Sequence, residues 1–318
     1  MEEVSTSAVQ KKKKRVKKKR NVWKRLKRDW QLYTMLILPV IFLLIFKYGP
    51  MIGNVIAFRR FVPGGNMFGE QWVGLYYFKM FISDAAFWGV FRNTIILGGL
   101  SLLFTFPLPI IFALLLNEVK SKRFKKFVQT ASYLPYFLSM VIIAGMILQL
   151  TATNGVINNI IHFFTGNTID FMQNAKWFRP VYVISQVWQT TGWGAILYLA
   201  ALTNIDETLY EAAKMDGANR WKQTIHVTLP GILPTVVTLL ILNVGSFMAV
   251  GFEKILLLYN PLTYATGDVI STYLYRIGLG SSNFSYATAI GLFESIIGLV
   301  LVLSSNFISR KITNTSLW

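Results

Sequence analysis

The chain has 318 residues, 53% of them hydrophobic and only 14% charged, yet its net charge is +18. A soluble domain carries about 25% charged residues, and apolar runs of about 20 residues recur here, too long for ordinary core helices, so an ordinary soluble protein is excluded. No cysteine is present, which excludes disulfides, thiolate metal sites and a cysteine nucleophile; two separated histidines, His162 and His226, and no Gly-Lys dipeptide leave neither a zinc-protease helix nor a Walker A loop for ATP.

Residues 11–28 hold 13 of the 32 Lys and Arg. The run abuts an apolar stretch and has no stacking partners beyond Trp23 and Trp30, so it reads as a solvated tail over residues 1–30 that fixes topology. Contact with anionic lipid headgroups is a secondary role; nucleic acid is not an expected partner. No small-residue cleavage site follows, so a removable signal peptide is not the reading.

Residues 31–318 read as one all-α polytopic membrane domain of six transmembrane helices. The predicted spans are about Leu32–Phe58 (interrupted at Lys47-Tyr48-Gly49-Pro50), Phe91–Leu116 (with Pro107 and Pro109 inside), Phe127–Leu150, Val181–Leu202, Leu233–Leu257 and Tyr286–Ile308. Placing the N-terminus inside the cell puts 23 Lys and Arg in inside segments and 7 outside, with Lys47 and Lys254 falling within spans. That asymmetry follows the positive-inside rule and makes both termini cytoplasmic. The outside segments, about 59–90, 151–180 and 258–285, are rich in Gly, Asn, Ser and aromatics. They read either as connectors or as a docking surface for an external solute-binding protein.

The most informative segment is the polar island between the fourth and fifth spans, about residues 203–230. Asn204, with Glu207 three residues on, is expected to cap a helix. Ile205, Leu209, Ala212 and Ala213 share a helical face, and Gly217 is expected to end that helix. Asn219 then caps a second short helix bearing Trp221 and Ile225, and Pro230 leads into the fifth span. Taken alone, this is an amphipathic helix-turn-helix lying outside the bilayer.

In the fourth span Gln186, Gln189, Thr190 and Trp193 fall at offsets of 0, 3, 4 and 7, one face of a helix. Polar residues in a span tend to face the bundle interior. Two amides, a hydroxyl and an indole suit a sugar; the bland alternative is helix–helix hydrogen bonding. Asn243, Ser246, Phe247, Val250 and Glu253 line a face of the fifth span, and Glu294 lies in the sixth between Gly291 and Gly298.

Glu211-Ala212-Ala213, Gly217, Val227 and Leu229-Pro230 match, with Val for Ile at 227, the spacing of the cytoplasmic loop by which importer permeases of the ATP-binding-cassette class grip their ATPase. Asp216-Gly217-Ala218 extends the match. The segment from Tyr48-Gly49-Pro50 through Ala57-Phe58, and Asn93-Thr94, resemble sugar permeases of the maltose-transporter type, within the branch handling oligosaccharides with lipoprotein binding proteins. The resemblance covers about residues 30–318 and also aligns the 186–193 face with that family's sugar-contacting stretch. It implies a non-catalytic transport subunit in a bacterial plasma membrane. It implies a second related permease chain, two ATPase subunits that bind the ATP and Mg, an extracytoplasmic solute-binding (lipo)protein and a carbohydrate substrate, with no cofactor in this chain. Glu211, Ala212, Ala213, Asp216, Gly217, Leu229 and Pro230 are then the ATPase-coupling residues. Gln186, Gln189, Thr190, Trp193, Asn243, Ser246 and Phe247 are then the substrate-binding ones. The rival reading is a stand-alone proton-coupled transporter using Glu253 or Glu294, which has no use for the 203–230 loop.

Overall fold

The computed structural model describes residues 28–313. Apart from Arg28, the basic run at 11–28 lies outside the described residues. The chain divides into two compact units after Gly53. In the first, helix α1 (Trp30–Leu43) runs through a π-turn (Leu44–Tyr48) into a single turn at Gly49–Ile52. The interruption expected at Lys47–Pro50 is therefore a widened turn rather than a break. Pro50 has no N–H to donate and its ring crowds the carbonyl four residues back, and a π-turn relieves both.

The second unit opens with a short antiparallel hairpin, β1 (Arg59–Arg60) and β2 (Gln71–Trp72), paired Arg59 to Trp72 and Arg60 to Gln71. Helices α2 (Tyr76–Ile82), α3 (Ala85–Thr105) and α4 (Pro107–Glu118) follow. The predicted second span is thus two helices end to end. Pro107 opens α4 because a first-turn residue needs no N–H partner.

The third span is not where hydropathy put it. Residues 122–133 form α5 (Lys122–Tyr133), capped by Ser121, whose Oγ accepts from the Phe124 N–H at 3.4 Å. Its strongly basic, amphipathic sequence fits a surface helix better than a span. A 3₁₀ turn containing Pro135 then leads to α6 (Met140–Thr151) and α7 (Val156–Thr165). Asn158, fully buried, clamps the corner between α6 and α7: its Nδ2 donates to the Ala152 carbonyl at 2.8 Å and its Oδ1 accepts from the Ile169 N–H at 2.8 Å.

Helix α8 (Ala175–Leu202) contains the predicted fourth span and starts six residues earlier. At about 1.5 Å per residue its 28 residues reach about 42 Å. It is nevertheless absent from the five helices apolar enough to cross a membrane among the described residues, which cover Trp30–Phe58, Ala85–Glu118, Met140–Thr165, Arg220–Gly245 and Phe284–Lys311. The reason is its place: α8 packs against α3, α4, α5 and the helix after the loop, so it can carry Ser185, Gln186, Gln189, Thr190 and Thr191 inside the bundle.

The 203–230 loop supplies α9 (Glu207–Met215) and α10 (Arg220–Gln223), then a π-turn (Thr224–Thr228) enters α11 (Leu229–Gly245). The fifth span does not run to Leu257. It stops at Gly245, residues 246–251 are non-helical, and a separate α12 (Phe252–Leu258) follows. α13 (Ile270–Tyr275) and the long α14 (Phe284–Thr313) complete the chain.

One predicted connector, 258–285, is instead among the best-buried parts of the protein. Val269, Ile270, Thr272 and Thr263 are fully buried. Asn93 of α3 holds the segment: its Nδ2 donates to the carbonyls of Ala265 and Asp268, each at 3.1 Å, while its Oδ1 accepts from Arg179 Nη2 at 2.8 Å. Thr94 Oγ1 accepts from the Ile270 N–H at 2.9 Å. Arg276 pairs with Asp268 at 2.6 Å, and Thr272 donates to the other Asp268 oxygen at 2.8 Å. Asp84, the N-cap of α3, accepts from Tyr273 at 2.8 Å, the Ala86 N–H at 2.9 Å and Tyr286 at 3.1 Å. Burial opposes ionisation of Asp84, but these donors outweigh it and hold the carboxyl below its ordinary value. Most of the polar side chains here are paired, as a dry site demands; Ser271 Oγ and Arg276 Nη1 are buried without a hydrogen-bond partner.

Candidate functional site

Two places in the second unit gather the residues singled out by sequence. The first is a polar cavity of about 160 Å³ between α3, α8 and the end of α11. Its walls include Ser101, Thr105, Tyr182, Gln186, Asn243 and Ser246, and its floor the segment through Gly251. The break after Gly245 makes this cavity. Non-helical backbone at membrane depth survives only where protein buries it or where it lines a wet cavity, and residues 246–251 do the latter. Two glycines let the walls approach closely without a side chain filling the space between them. A Cβ on Gly98 would stand 2.8 Å from the Phe247 carbonyl, and one on Gly251 would collide with the Tyr182 hydroxyl.

The hydrogen bonds already made decide what the lining still offers. Lys254 is fully buried; its Nζ donates to Gln186 Oε1 at 3.1 Å and to Gln189 Oε1 at 3.4 Å, and lies 5.4 Å from the Tyr182 ring centre. Gln186 therefore keeps its amide N–H groups free. Asn243 Nδ2 donates to the Leu239 carbonyl at 2.8 Å, so its Oδ1 stays free to accept. Ser101 Oγ is buried without a hydrogen-bond partner. No carboxylate lines the cavity. A ligand that fits must both accept and donate, as a polyhydroxyl compound does.

Of the residues expected on the substrate face, Gln186, Asn243, Ser246 and Phe247 meet at this cavity. Gln189 lies behind it, buried against Lys254. Thr190 donates to the Gln186 carbonyl at 2.8 Å within α8. Trp193 stacks face to face on Tyr136, ring centres 4.6 Å apart, with Phe137 edge-on at 5.3 Å; it belongs to the packing of α8 on the α5–α6 connection. Ser101, Thr105, Tyr182, Gly98 and Gly251 were missed. The Ser101/Thr105 pair, four apart in an otherwise apolar run, was the available signal, as was Lys254, an unexplained cation inside a span. Glu253 next to it is exposed, as the first-turn acid of α12.

The second place is the 203–230 loop. Asp206, not Asn204, caps α9: its Oδ1 accepts from the Thr208 N–H at 2.9 Å. Asn204 instead donates to the Ala200 carbonyl at 3.2 Å, closing α8. Sequence offered two capping residues two positions apart, and Asn204 is already spent on the Ala200 carbonyl at the end of α8. Gly217 has φ +73°, the left-handed region. Around it the Ala218 N–H reaches the Ala213 carbonyl at 2.9 Å and the Gly217 N–H the Lys214 carbonyl at 3.0 Å, the paired bonds of a Schellman stop. Asn219 caps α10, accepting from the Lys222 N–H at 2.9 Å. Tyr210 and Thr228 share a 3.0 Å hydrogen bond, and Gln223 donates to the Ala218 carbonyl at 2.8 Å. The two helices thus form one tied body at the foot of α11, where Leu229 and Pro230 start that helix.

The outer side of this body is left uncovered. Leu209, Met215 and Trp221 are 53%, 89% and 72% exposed. A cleft of about 1040 Å³ beside it is lined by Glu207, Glu211 and Lys214 together with Glu118 and Lys120 at the end of α4. Arg220 bridges to Glu118 at 2.7 Å; an exposed pair of this kind adds little stability. Glu211, Ala212, Asp216 and Gly217 all face outward, while Ala213 is half-covered.

Comparison with known proteins identifies the family. Residues 105–314 match the family described as "Binding-protein-dependent transport system inner membrane component". The chain is 44% identical over 294 residues to Protein LplB of Bacillus subtilis (92% of each chain). It is also 44% identical to the Polygalacturonan/rhamnogalacturonan transport system permease protein YteP of the same organism (94% of this chain, 93% of the relative). Among solved structures, a chain of a bacterial ABC transporter involved in the import of the acidic polysaccharide alginate superposes with a TM-score of 0.85 at 45% identity, covering 92% of this chain and all of that one. A chain of a bacterial alginate ABC transporter in complex with an alginate pentasaccharide-bound periplasmic protein gives 0.86 at 44%, covering 94% of this chain and all of that one.

Proposed function

This chain belongs to the binding-protein-dependent transport system inner membrane components, multi-pass and non-catalytic permease subunits of ATP-driven importers, and on that premise we propose how it works and what it carries. The cargo is an oligosaccharide, which passes the cavity bounded by Gln186, Asn243 and Ser246–Gly251. The carrying observation is the break after Gly245. It opens backbone and polar side chains to one cavity whose free groups, the Gln186 amide N–H, the Asn243 carbonyl and the Ser101 hydroxyl, suit sugar hydroxyls. The names of the relatives, which speak of polygalacturonan, rhamnogalacturonan and alginate, support a carbohydrate.

In the assembled importer, α9 and α10 face the cytoplasm and dock on a separate ATPase subunit, with Glu211, Ala212, Ala213, Asp216 and Gly217 in the contact. A second permease chain completes the pathway, and a solute-binding protein delivers sugar from outside. Closure of the ATPases on ATP pulls the tied α9–α10 body. That body is continuous with α11 through Leu229 and Pro230, and α11 ends at the cavity. Coupling needs the loop to bind the two ATPase states with different free energy; its exposed Leu209, Met215 and Trp221 give it contact area for that. Both termini are cytoplasmic on the charge asymmetry of the loops.

The test is reconstitution. The chain is placed in proteoliposomes with its partner permease, ATPase and binding protein, and uptake of oligogalacturonate and of alginate oligosaccharides is followed. ATP-dependent uptake that requires the binding protein supports the reading. Uptake by this chain alone, driven by a pH gradient, overturns it.

A further inference from the structure

We propose that Lys254 is a positioning residue of the cavity, acting through Gln186, and that it fixes the cavity's strongest free donor. The inference rests on the reading of the cavity as the sugar passage. Lys254 is one of the largest fully buried side chains in the protein and does not itself line the cavity. It makes no ion pair among the described residues. What it touches is two amides of α8 and the ring of Tyr182. A buried amine is costly unless its hydrogens are used, and here two are used on the same kind of acceptor, one helical turn apart.

The consequence for Gln186 is specific. A glutamine side chain in a cavity wall can turn either end of its amide to a ligand. Lys254 has only N–H groups to offer Gln186, so Gln186 must give it Oε1 and turn Nε2 to the cavity. This holds for the ammonium, which has three N–H groups and no lone pair with which to accept. Gln189, held the same way at 3.4 Å, braces the lysine from the turn behind. Lys254 is itself fixed by the chain break: it sits in the first turn of α12, which starts after the 246–251 segment that floors the cavity. The site is thereby set as donor at 186 and acceptor at 243, a polarity that selects which way round a sugar hydroxyl or carboxylate can bind.

The experiment is a double-mutant cycle in the reconstituted importer. The probe is whichever of oligogalacturonate and alginate oligosaccharide the wild-type complex imports, and the readout is sugar imported per ATP hydrolysed. This ratio separates cargo handling from assembly and from ATPase activity. Lys254→Met keeps most of the unbranched apolar stem and removes the donors; Gln186→Ala removes the positioned group. Each is expected to lower the ratio by about tenfold, the size of one hydrogen bond to a charged or buried group. The double variant is expected to be no worse than Gln186→Ala alone. Lys254→Gln, whose amide still donates, is expected to recover part of the loss and serves in place of Met if Met prevents assembly. Losses that multiply in the double variant, an unchanged ratio in Lys254→Met, or failure of both Lys254 variants to assemble would each overturn the assignment and leave Lys254 a packing residue. A wild-type complex that imports neither sugar while hydrolysing ATP normally points instead to failure of the sugar-passage reading.

Discussion

Gly217 offers the cleanest test of the lever, because its environment isolates one physical term. Its φ is +73°, and a Cβ built there meets nothing within 4 Å. A Cβ there therefore costs backbone strain and no clash. Alanine in the left-handed region costs about 1–2 kcal/mol; valine, β-branched, costs about 1–3 kcal/mol; asparagine visits this region readily and costs least. The strain falls on the two bonds that the turn closes, Ala218 to Ala213 and Gly217 to Lys214. A penalty of 1–2 kcal/mol speeds local opening by about 5–30-fold. Hydrogen exchange at the 217 and 218 amides of the assembled importer should therefore rise in the order Asn, Ala, Val. Sugar imported per ATP should fall in the same order. If Asn is as damaging as Val, side-chain bulk at the ATPase surface is what matters and the turn argument fails. If Val matches wild type in both assays, the loop is no lever.

Further outcomes follow from neighbouring sites. Asp206→Ala should accelerate exchange at Thr208, while Asn204→Ala should leave that amide unchanged, since only Asp206 accepts from it. Trp193→Ala should lower thermal stability by removing a stack worth about 0.5–1.5 kcal/mol beyond its area, yet leave sugar per ATP within about twofold, unlike Gln186→Ala. Gly98→Val should reduce uptake at least about tenfold by driving the Phe247 carbonyl, 2.8 Å from the new Cβ, into the cavity, an overpacking cost of about 1–3 kcal/mol. Asp84, held below its ordinary value, adds stability that is fully present above about pH 4 and is lost as pH falls through the lowered value. Melting temperature should therefore show no Asp84-dependent change between pH 6 and 8, and Asp84→Asn should melt lower across that whole range.

The parts readable from sequence were those set by local chemistry. The Gly217 stop, the Asn219 cap and the loop's two helices needed only neighbouring residues, and the family spacing over Glu211–Pro230 did the rest. Hydropathy found the membrane helices but could not place their breaks. α11 stops at Gly245 because α3 and α8 supply a cavity to receive open backbone, and no window along one strand of sequence contains that cavity. For the same reason 258–285 read as a connector: its Thr263, Asp268 and Thr272 look like loop residues until Asn93, Arg179 and Arg276 are beside them. Helical spacing put Gln186, Gln189, Thr190 and Trp193 on one face correctly, but one face of α8 meets three neighbours. Lys254 lies 68 positions from Gln186, and only the folded bundle joins them.

The central claim, that sugar crosses at the broken fifth span, is tested most directly by a structure of the assembled importer trapped in mid-cycle with its oligosaccharide. The account predicts sugar density within hydrogen-bonding distance of Gln186 Nε2 and Asn243 Oδ1, against residues 246–251, with Lys254 still on the far side of Gln186. Density confined to the Trp193–Tyr136 stack, or a pathway that leaves the cavity empty, would contradict it.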